Sequence, residues 1–265
     1  MLTPIEDADD ERIAAYRDIR ERDLVGRQGR FIAEGEVVLR TMAASPLVRP
    51  LSLLVARHRL GRIADVVEAL GPETPVYVAP QPVLDAIAGF HLHRGFLALG
   101  ERVSPPDAGQ LLAGLPPRAV VVALFGIGNH DNMGGLFRNA AAFGVDAVLL
   151  DTTSCDPLYR KAIRVSVGAV LRTPFARIGE GSDPVALLAG AGFEVFALSP
   201  SGAERLAQVE RAPRTAVLFG SEGPGLDSEI LRRVRGVAIP MAHGFDSLNV
   251  ATTSGIVLHH IVCGV

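Results

Sequence analysis

The fold of this chain is decided by the stretch Ala216-Val-Leu-Phe-Gly-Ser-Glu-Gly-Pro-Gly-Leu226. Its apolar start, residues 216–219, predicts a buried strand, and the glycines that follow predict a tight loop. Two other stretches share this design: residues 120–125 run into Gly126-Ile-Gly128, and residues 237–239 run into a polar loop that opens the last helix. Because loops at the carboxyl ends of strands in an open α/β sheet meet in one crevice, we expect the three loops to form one site.

Strands and helices alternate on both sides of this stretch. In the first half, apolar runs predict strands at 31–33, 51–56, 75–78 and 95–99, with amphipathic helices at 36–42, 62–70 and 82–88. In the second half, the same signals predict strands at 120–125, 147–150, 194–198, 216–219 and 237–239, a helix at 132–143 and a closing helix that starts near Ser247. Alternation of this kind predicts an α/β fold in each half.

A polar stretch rich in proline and glycine, residues 104–117, separates the two halves. Such a composition is typical of domain boundaries, because few contacts cross them. We therefore expect a first domain over residues 1–105, a linker over residues 106–118 and a second domain over residues 119–265.

Composition narrows the class of protein. Of 265 residues, 48% are hydrophobic, which allows a sizeable core, and the net charge of −3 means that a nucleic-acid partner must meet a local basic patch. Cys155 and Cys263 lie outside any metal-ligand spacing, so we expect reduced thiols and no metal. The acidic N-terminus and the short apolar runs predict a cytoplasmic protein without a secretory signal or a membrane association.

The glycines that follow residues 120–125 invite comparison with nucleotide-binding loops. Gly126-Ile-Gly128, with Asp151 ending the next strand, matches part of the dinucleotide fingerprint GxGxxG. However, the third glycine position holds Asp131, whose charge would face a pyrophosphate, and the chain contains no GxxxxGK(S/T) loop. The sequence therefore argues against nicotinamide, flavin and nucleotide-hydrolysing chemistry.

Three motifs of the second half together resemble those of the SpoU (TrmH-like) family of RNA methyltransferases in the SPOUT superfamily. They are Asn132-x-Gly134-x-x-x-Arg138-x-Ala140, then Phe219-Gly-Ser-Glu-Gly-Pro-Gly-Leu226, then Ile239-Pro-Met241 followed by Ser247-Leu-Asn-Val250. The first half resembles the family's L30e-like substrate-binding domain, with Phe31-Ile-Ala-Glu34-Gly35 and Gly95-Phe-Leu-Ala-Leu99 in the expected places.

This resemblance implies both a fold and an activity. The fold is a parallel-sheet SPOUT domain with a trefoil knot, preceded by a small α/β L30e-like domain. The activity is transfer of a methyl group from S-adenosylmethionine to a ribose 2′-hydroxyl of structured RNA, either rRNA or tRNA. Two other hypotheses stay open: an RNA-binding module with an inactive methyltransferase half, and an enzyme that methylates a base instead of the ribose.

The resemblance also assigns site residues by their motif positions. S-adenosylmethionine would be held by Leu198, Gly220, Ile239, Met241, Ser247 and Leu248. Methyl transfer would use Arg138, Asn132, Glu222, Ser247 and Asn249. Because a guanidinium stays protonated in proteins, we expect Arg138 to grip a phosphate and stabilise the developing alkoxide. Glu222 is then the candidate base, or a group that orients a neighbour.

Basic residues suggest where RNA is bound. Arg160, Lys161 and Arg164 follow the second strand of the second half and predict an RNA-facing patch. The first 30 residues carry arginines interleaved with acids, which fits either a solvated helix face or an RNA-touching arm; these are Arg12, Arg17, Arg20, Arg22, Arg27 and Arg30.

A homodimer is implied by the resemblance, since the family pairs through its catalytic domains. The closing segment, residues 256–265, is almost wholly apolar. Soluble monomers avoid exposed patches of this kind, and a two-fold contact would cover it on both subunits. Burial of the segment against its own sheet is the alternative.

Overall fold

The computed structural model describes residues 2–17, 29–89, 92, 94–242 and 247–264. The chain forms two compact units. Unit 1 comprises Met1–Ser104 and Asp156–Arg172, and unit 2 comprises Pro105–Cys155 and Thr173–Val265. Each unit therefore takes its residues from two separate parts of the chain.

Strands and helices follow one another along the whole described chain. The strands are β1 Leu2–Pro4, β2 Arg30–Glu34, β3 Val48–Ala56, β4 Val76–Ala79, β5 Phe96–Arg102, β6 Ala119–Leu124, β7 Ala147–Leu150, β8 Phe175–Arg177, β9 Glu194–Leu198, β10 Glu204–Arg205, β11 Arg214–Phe219 and β12 Arg235–Ala238. The α-helices are α1 Glu36–Ala44, α2 Ala64–Leu70, α3 Gln81–Ala88, α4 Ala108–Ala113, α5 His130–Ala142, α6 Arg160–Val165, α7 Pro184–Gly190, α8 Ser228–Arg233 and α9 Val250–Cys263.

Unit 1 is built on a mixed sheet of five strands in the order β1-β4-β3-β5-β2. Strands β1, β4 and β3 are parallel, whereas β5 runs antiparallel to both β3 and β2. One face carries a core of buried side chains that includes Ile5, Ile13, Ile32, Leu54 and Leu84. Within this core, the hydroxyl of the buried Tyr16 lies 2.7 Å from Ser52 Oγ and accepts the amide of Leu99, so its polar atom is satisfied.

Helix α6 belongs to unit 1, although along the chain it comes between β7 and β8, which are strands of unit 2. Arg160 of α6 donates to the carboxylate of Glu34 at the end of β2, with Nη2 and Oε2 2.9 Å apart. Only 6% of the Glu34 side chain is exposed, so this ion pair neutralises a buried charge. Leu171, which follows α6 in the chain, accepts a hydrogen bond at its carbonyl from Ser45 Oγ.

Unit 2 is built on a parallel sheet of seven strands in the order β10-β12-β9-β11-β6-β7-β8. Strand β6, in the interior of this sheet, is completely buried, which explains its unbroken run of valine, alanine and leucine. The prediction of an α/β fold with a parallel sheet is confirmed. The trefoil knot stays a prediction.

Helix α9 packs closely on α5 in unit 2. A Cβ added to Gly135 of α5 would lie 2.7 Å from the Cβ of Ala251, and Asn139 donates to the carbonyl of Ala251 at 2.6 Å. Along α9, Val257, Leu258 and Ile261 are buried, while 41% of Ile256 is exposed. The closing apolar segment is thus mainly covered within its own unit. Within the described residues, no helix has the length and apolarity needed to cross a membrane.

Candidate functional site

A cavity of about 640 Å³ lies in unit 2, where β9, β11 and β12 end. Its volume falls within the range of ligand pockets, roughly 300–1,000 Å³. The cavity is lined by these strand ends and by the first turn of α9. The parallel sheet therefore brings separate loops to one place. The loops after β11 and β12 are two of the three that the sequence grouped, whereas the loop after β6 does not line the cavity.

All six residues that the sequence suggested for cofactor binding line this cavity. Leu198 ends β9, and Gly220 follows β11. The other four lie between β12 and α9; these are Ile239, Met241, Ser247 and Leu248. Residues 243–246, which lie between the two parts of the third motif, are outside the described residues. Sequence reasoning did not select Ser199, Pro200 or Thr253, which also line the cavity. For Ser199 and Pro200 a signal existed, because they follow an apolar strand as the loops of the three motifs do.

The loop after β11 doubles back tightly beside the cavity. A Cβ on Gly220 would lie 2.3 Å from the carbonyl carbon of Gly225, so no other residue fits at position 220. Gly223 and Gly225 have φ values of 90° and 72°, in the left-handed region that favours glycine. An isolated bridge between Ser221 and Gly225 closes the loop. The glycines of this motif thus bring backbone groups to the cavity wall.

Three of the predicted catalytic residues form one hydrogen-bonded cluster. Asn132 Nδ2 donates to Glu222 Oε1 at 2.8 Å. Asn249 Nδ2 donates to Asn132 Oδ1 at 2.8 Å and to Glu222 Oε1 at 3.1 Å. Residues from the first, second and third motifs therefore meet, although 90 and 117 positions separate Asn132 from the other two.

Two members of the cluster are held by helices, and Glu222 lies in the loop after β11. Asn249 caps α9, because its Oδ1 accepts the backbone amides of Ala251 and Thr252. This bond fixes which end of the Asn249 amide faces Asn132. Asn132 lies in the first turn of α5 and is 7% exposed. Glu222 and Asn249 also line the cavity, as does the fourth predicted catalytic residue, Ser247.

Asp151, which had suggested a dinucleotide fingerprint, supports the loop between β6 and α5. Its carboxylate accepts the backbone amides of Gly126 and Ser154 at 3.1 and 2.8 Å, and Thr153 donates its hydroxyl to it. Partial burial acts to raise the pKa of Asp151, but hydrogen bonds involving Ser154, Thr153 and Gly126 outweigh it and hold the pKa below its usual range. Asp151 is therefore a loop anchor, charged at neutral pH.

Arg138 does not line the cavity. Six positions along α5 separate it from Asn132, about 240° around the helix axis, so the two side chains leave different faces. The guanidinium is exposed and has neither a hydrogen bond nor an ion pair with any described residue. The structure thus places three of the five predicted catalytic residues on the cavity wall. Asn132 is hydrogen-bonded to two of these three, and Arg138 lies apart.

The three predicted RNA-binding residues all lie on α6, in unit 1. Arg160 is committed to Glu34, and 22% of its side chain is exposed. Lys161 and Arg164 are exposed. Of the arginines near the N-terminus, Arg20, Arg22 and Arg27 lie outside the described residues.

Known proteins resemble this chain in sequence and in fold. The model of the SpoU rRNA Methylase family matches residues 119–259. An uncharacterized tRNA/rRNA methyltransferase of Mycobacterium bovis is 40% identical, over 96% of this chain and 89% of the relative. An AdoMet-bound rRNA methyltransferase from Sinorhizobium meliloti has a TM-score of 0.83 at 22% identity, over 98% of this chain and 97% of that chain. An RNA 2′-O ribose methyltransferase has a TM-score of 0.79 at 23% identity, over 99% of each chain.

Proposed function

The chain belongs to the SpoU rRNA methylase family, and from this we propose that it transfers a methyl group from S-adenosylmethionine to a ribose 2′-hydroxyl of structured rRNA or tRNA. The observation that carries the proposal is the Asn132–Glu222–Asn249 cluster at the edge of the unit 2 cavity. The ribose as the acceptor is supported by the fold shared with an RNA 2′-O ribose methyltransferase. We propose the cytoplasm as the place of action, where RNA is available.

The cavity fits S-adenosylmethionine in size and in the chemistry of its walls. Ile239, Met241 and Leu248 offer apolar surface to the adenine, and the glycine loop after β11 offers backbone groups to the polar parts. The AdoMet-bound state of the Sinorhizobium meliloti enzyme, which shares the fold, supports this choice of cofactor. When bound, S-adenosylmethionine supplies an electrophilic methyl group on its sulfonium.

The residues of the cluster prepare the acceptor hydroxyl. Glu222 Oε1 accepts from Asn132 and Asn249, whereas Oε2 accepts no hydrogen bond from the described residues. The carboxylate is therefore oriented, and one oxygen is left to accept the proton of the 2′-hydroxyl. Ser247 and Asn249 lie close enough to the cavity to hold the hydroxyl or the cofactor.

Arg138 reaches such a site from a second subunit. Its guanidinium is exposed, has no partner among the described residues and lies off the cavity of its own chain. We propose a homodimer in which the partner's guanidinium grips the phosphate next to the target ribose and stabilises the developing alkoxide. Lys161 and Arg164 are proposed to contact RNA as well, and they are exposed.

The activity is tested in two steps. Calorimetric titration with S-adenosylmethionine is expected to show binding without RNA, and its absence would remove the cofactor from the proposal. Radiolabelled methyl transfer into bulk unmethylated RNA then separates an enzyme from an RNA-binding module with an inactive second half. Digestion of the product to nucleosides, followed by mass spectrometry, is expected to yield a 2′-O-methylnucleoside, whereas a base-methylated product would contradict the ribose assignment.

A further inference from the structure

A second cavity, of about 500 Å³, lies within unit 1. Four arginines line it, Arg59, Arg62, Arg94 and Arg164, together with the first turn of α1. We call it the arginine cavity. Such a concentration of positive charge contrasts with the formal net charge of −3 for the whole chain.

Most of this charge is not neutralised by the protein. Arg62 pairs with Glu36, with Nη2 and Oε2 2.8 Å apart. Arg59, Arg94 and Arg164 have no ion pair or side-chain hydrogen bond with any described residue, and the Nε of Arg59 is buried without an acceptor. Buried donors normally have partners, and neighbouring guanidinium groups repel one another. The cavity is therefore complementary to an anionic ligand.

The start of α1 adds to this complementarity. Residues 36–38 line the cavity, and the N-cap residue, Gly35, has no side chain that could accept the amides of the first turn. A Cβ on Gly35 would lie 2.9 Å from Cδ of Arg94, so this glycine lets the arginine lie across the helix start. Free amides at a helix N-terminus bind phosphate well, and here three guanidinium groups accompany them.

The arginine cavity also has an apolar wall. Val37 is 57% exposed and Val167 is 38% exposed. Val167 holds a φ of 54°, a conformation that β-branched residues rarely adopt. Apolar side chains beside guanidinium groups suit a ligand with a flat base and a phosphate. A splayed single-stranded nucleotide presents both groups, whereas an RNA duplex presents mainly its phosphates and sugars.

We propose that the arginine cavity binds a single-stranded nucleotide of the RNA substrate. Its phosphates lie against Arg59, Arg94 and Arg164, and its base lies against Val37 and Val167. The choice of RNA as the ligand rests on the proposed function. The arginine cavity contains none of the residues that we assign to methyl transfer. RNA binding by this cavity can therefore be measured independently of methyl transfer.

The test uses the full chain and fluorescently labelled oligouridine RNA, with binding followed by anisotropy over a range of salt concentrations. The cavity variant carries Arg59→Gln, Arg94→Gln and Arg164→Gln. The control variant removes the same charge from three exposed arginines elsewhere, through Arg118→Gln, Arg172→Gln and Arg232→Gln. Each phosphate contact contributes about 0.7 to the log–log salt slope for single strands, so the slope is expected to fall by about 2 and the affinity by roughly 100-fold at about 0.1 M salt. The control variant is expected to stay near wild type.

A second variant tests the apolar wall. Val37→Ser is expected to weaken binding of oligouridine roughly fivefold, because less apolar surface meets the base. It is expected to leave the binding of an abasic ribose-phosphate chain unchanged. Equal effects on both probes would remove the base from the proposal.

Three results would overturn the arginine cavity as an RNA site. These are wild-type affinity in the cavity variant, an equal loss in the control variant, and tighter binding of polyglutamate than of oligouridine, which would indicate an acidic protein partner. Thermal unfolding checks that the cavity variant is folded, and titration with S-adenosylmethionine checks that it keeps the unit 2 site. If the wild type binds RNA through this cavity but transfers no methyl group, the proposed function fails and the RNA site stands.

Discussion

At the scale of single residues, Glu222 is held through one of its two carboxylate oxygens. Oε1 accepts from Asn132 and Asn249, and these two amides are fixed by α5 and by the cap of α9. The orientation of the carboxylate is thus set before any substrate arrives. Preorganisation of this kind favours proton transfer, because no side chain has to be reoriented during the reaction.

The change Glu222→Gln keeps the size of the side chain and removes its basicity. We expect methyl transfer to fall by roughly 100-fold or more, the usual contribution of a general base, while the Kd for S-adenosylmethionine changes by less than about twofold. Single-turnover transfer and calorimetry measure the two quantities. Glu229→Gln, on α8, is the matched control, and its activity should remain. Unchanged transfer in Glu222→Gln would exclude this residue as the base.

Val167 carries backbone strain. A β-branched residue at a φ of 54° costs on the order of 1–3 kcal/mol, and glycine adopts this conformation freely. We therefore expect Val167→Gly to leave the melting temperature unchanged or to raise it, while it weakens oligouridine binding. Val165→Gly, at the end of α6, should instead destabilise by roughly 0.5 kcal/mol, the difference in helix propensity between valine and glycine. Thermal unfolding of both variants checks the contrast, and a loss of stability in Val167→Gly would refute the strain.

Motif positions made the unit 2 site predictable, because the side chains around its cavity lie in loops that follow apolar strands. The role of Asp151 was not predictable, since an acidic residue at the end of a strand serves a ribose and a loop equally well. The arginine cavity was also beyond sequence reasoning. Arg59, Arg94 and Arg164 lie far apart along the chain, and no spacing marks them as neighbours.

At the scale of elements, the crossing of α5 and α9 depends on small residues. Gly135 meets Ala251, and a Cβ on Gly255 would lie 3.3 Å from Asn139 Nδ2. Ser254, completely buried, shares the Asn139 amide. Because Asn249 caps the start of α9, the position of this crossing sets where Asn249 lies relative to Glu222.

Gly135→Ala is expected to separate these two helices. The new Cβ would lie 2.7 Å from the Cβ of Ala251, and overpacking of this kind costs about 1–3 kcal/mol. Methyl transfer should fall too, since Asn249 moves with α9. Gly190→Ala in α7, where the added Cβ meets open space, should be neutral or stabilising by about 0.4–1 kcal/mol.

Chemical denaturation of Gly135→Ala, of Gly190→Ala and of the double variant Gly135→Ala with Ala251→Gly measures this contact. The double variant should recover much of the lost stability, because it restores the space between the helices. Equal stability of Gly135→Ala and Gly190→Ala would mean that the helices repack without cost.

Apolar periodicity found the long buried strands and the amphipathic helices, with differences of a few residues at their ends. It missed β1, β8 and β10, which have two or three residues and so carry too little pattern. It also gave no helix within residues 106–118, where α4 forms. A signal was present there, since Asp107 and Gln110 form a capping box.

At the scale of the whole molecule, the order of the strands was out of reach of local sequence patterns. Along the chain, β9 comes first, then β11, then β12. In the sheet, however, β9 lies between β11 and β12. Such an order depends on how segments cross over one another, and no residue type encodes it. The same holds for a knot, which is nearly absent from proteins in general and was expected only from the family resemblance.

The homodimer is tested by mixing two inactive proteins. One carries Arg138→Ala and the other Glu222→Gln. If Arg138 completes the partner's site, random mixing makes half of the dimers mixed, each with one intact site, and about a quarter of wild-type activity should return. Methyl transfer before and after exchange of subunits gives the result. No recovery, or full activity of a 28.0 kDa monomer in light scattering, would contradict a shared site.

The chain passes from one unit to the other three times, because Asp156–Arg172 belongs to unit 1. On the ribosome, unit 1 therefore lacks α6 and the residues that follow it until residue 172 has left the exit tunnel. Until then, Glu34 lies without Arg160, and an unpaired buried charge costs several kcal/mol. Nascent chains released after Ser104 should be more sensitive to protease than chains released after Arg172. Strands β6 and β7 of the second unit thus emerge while the first unit is still incomplete.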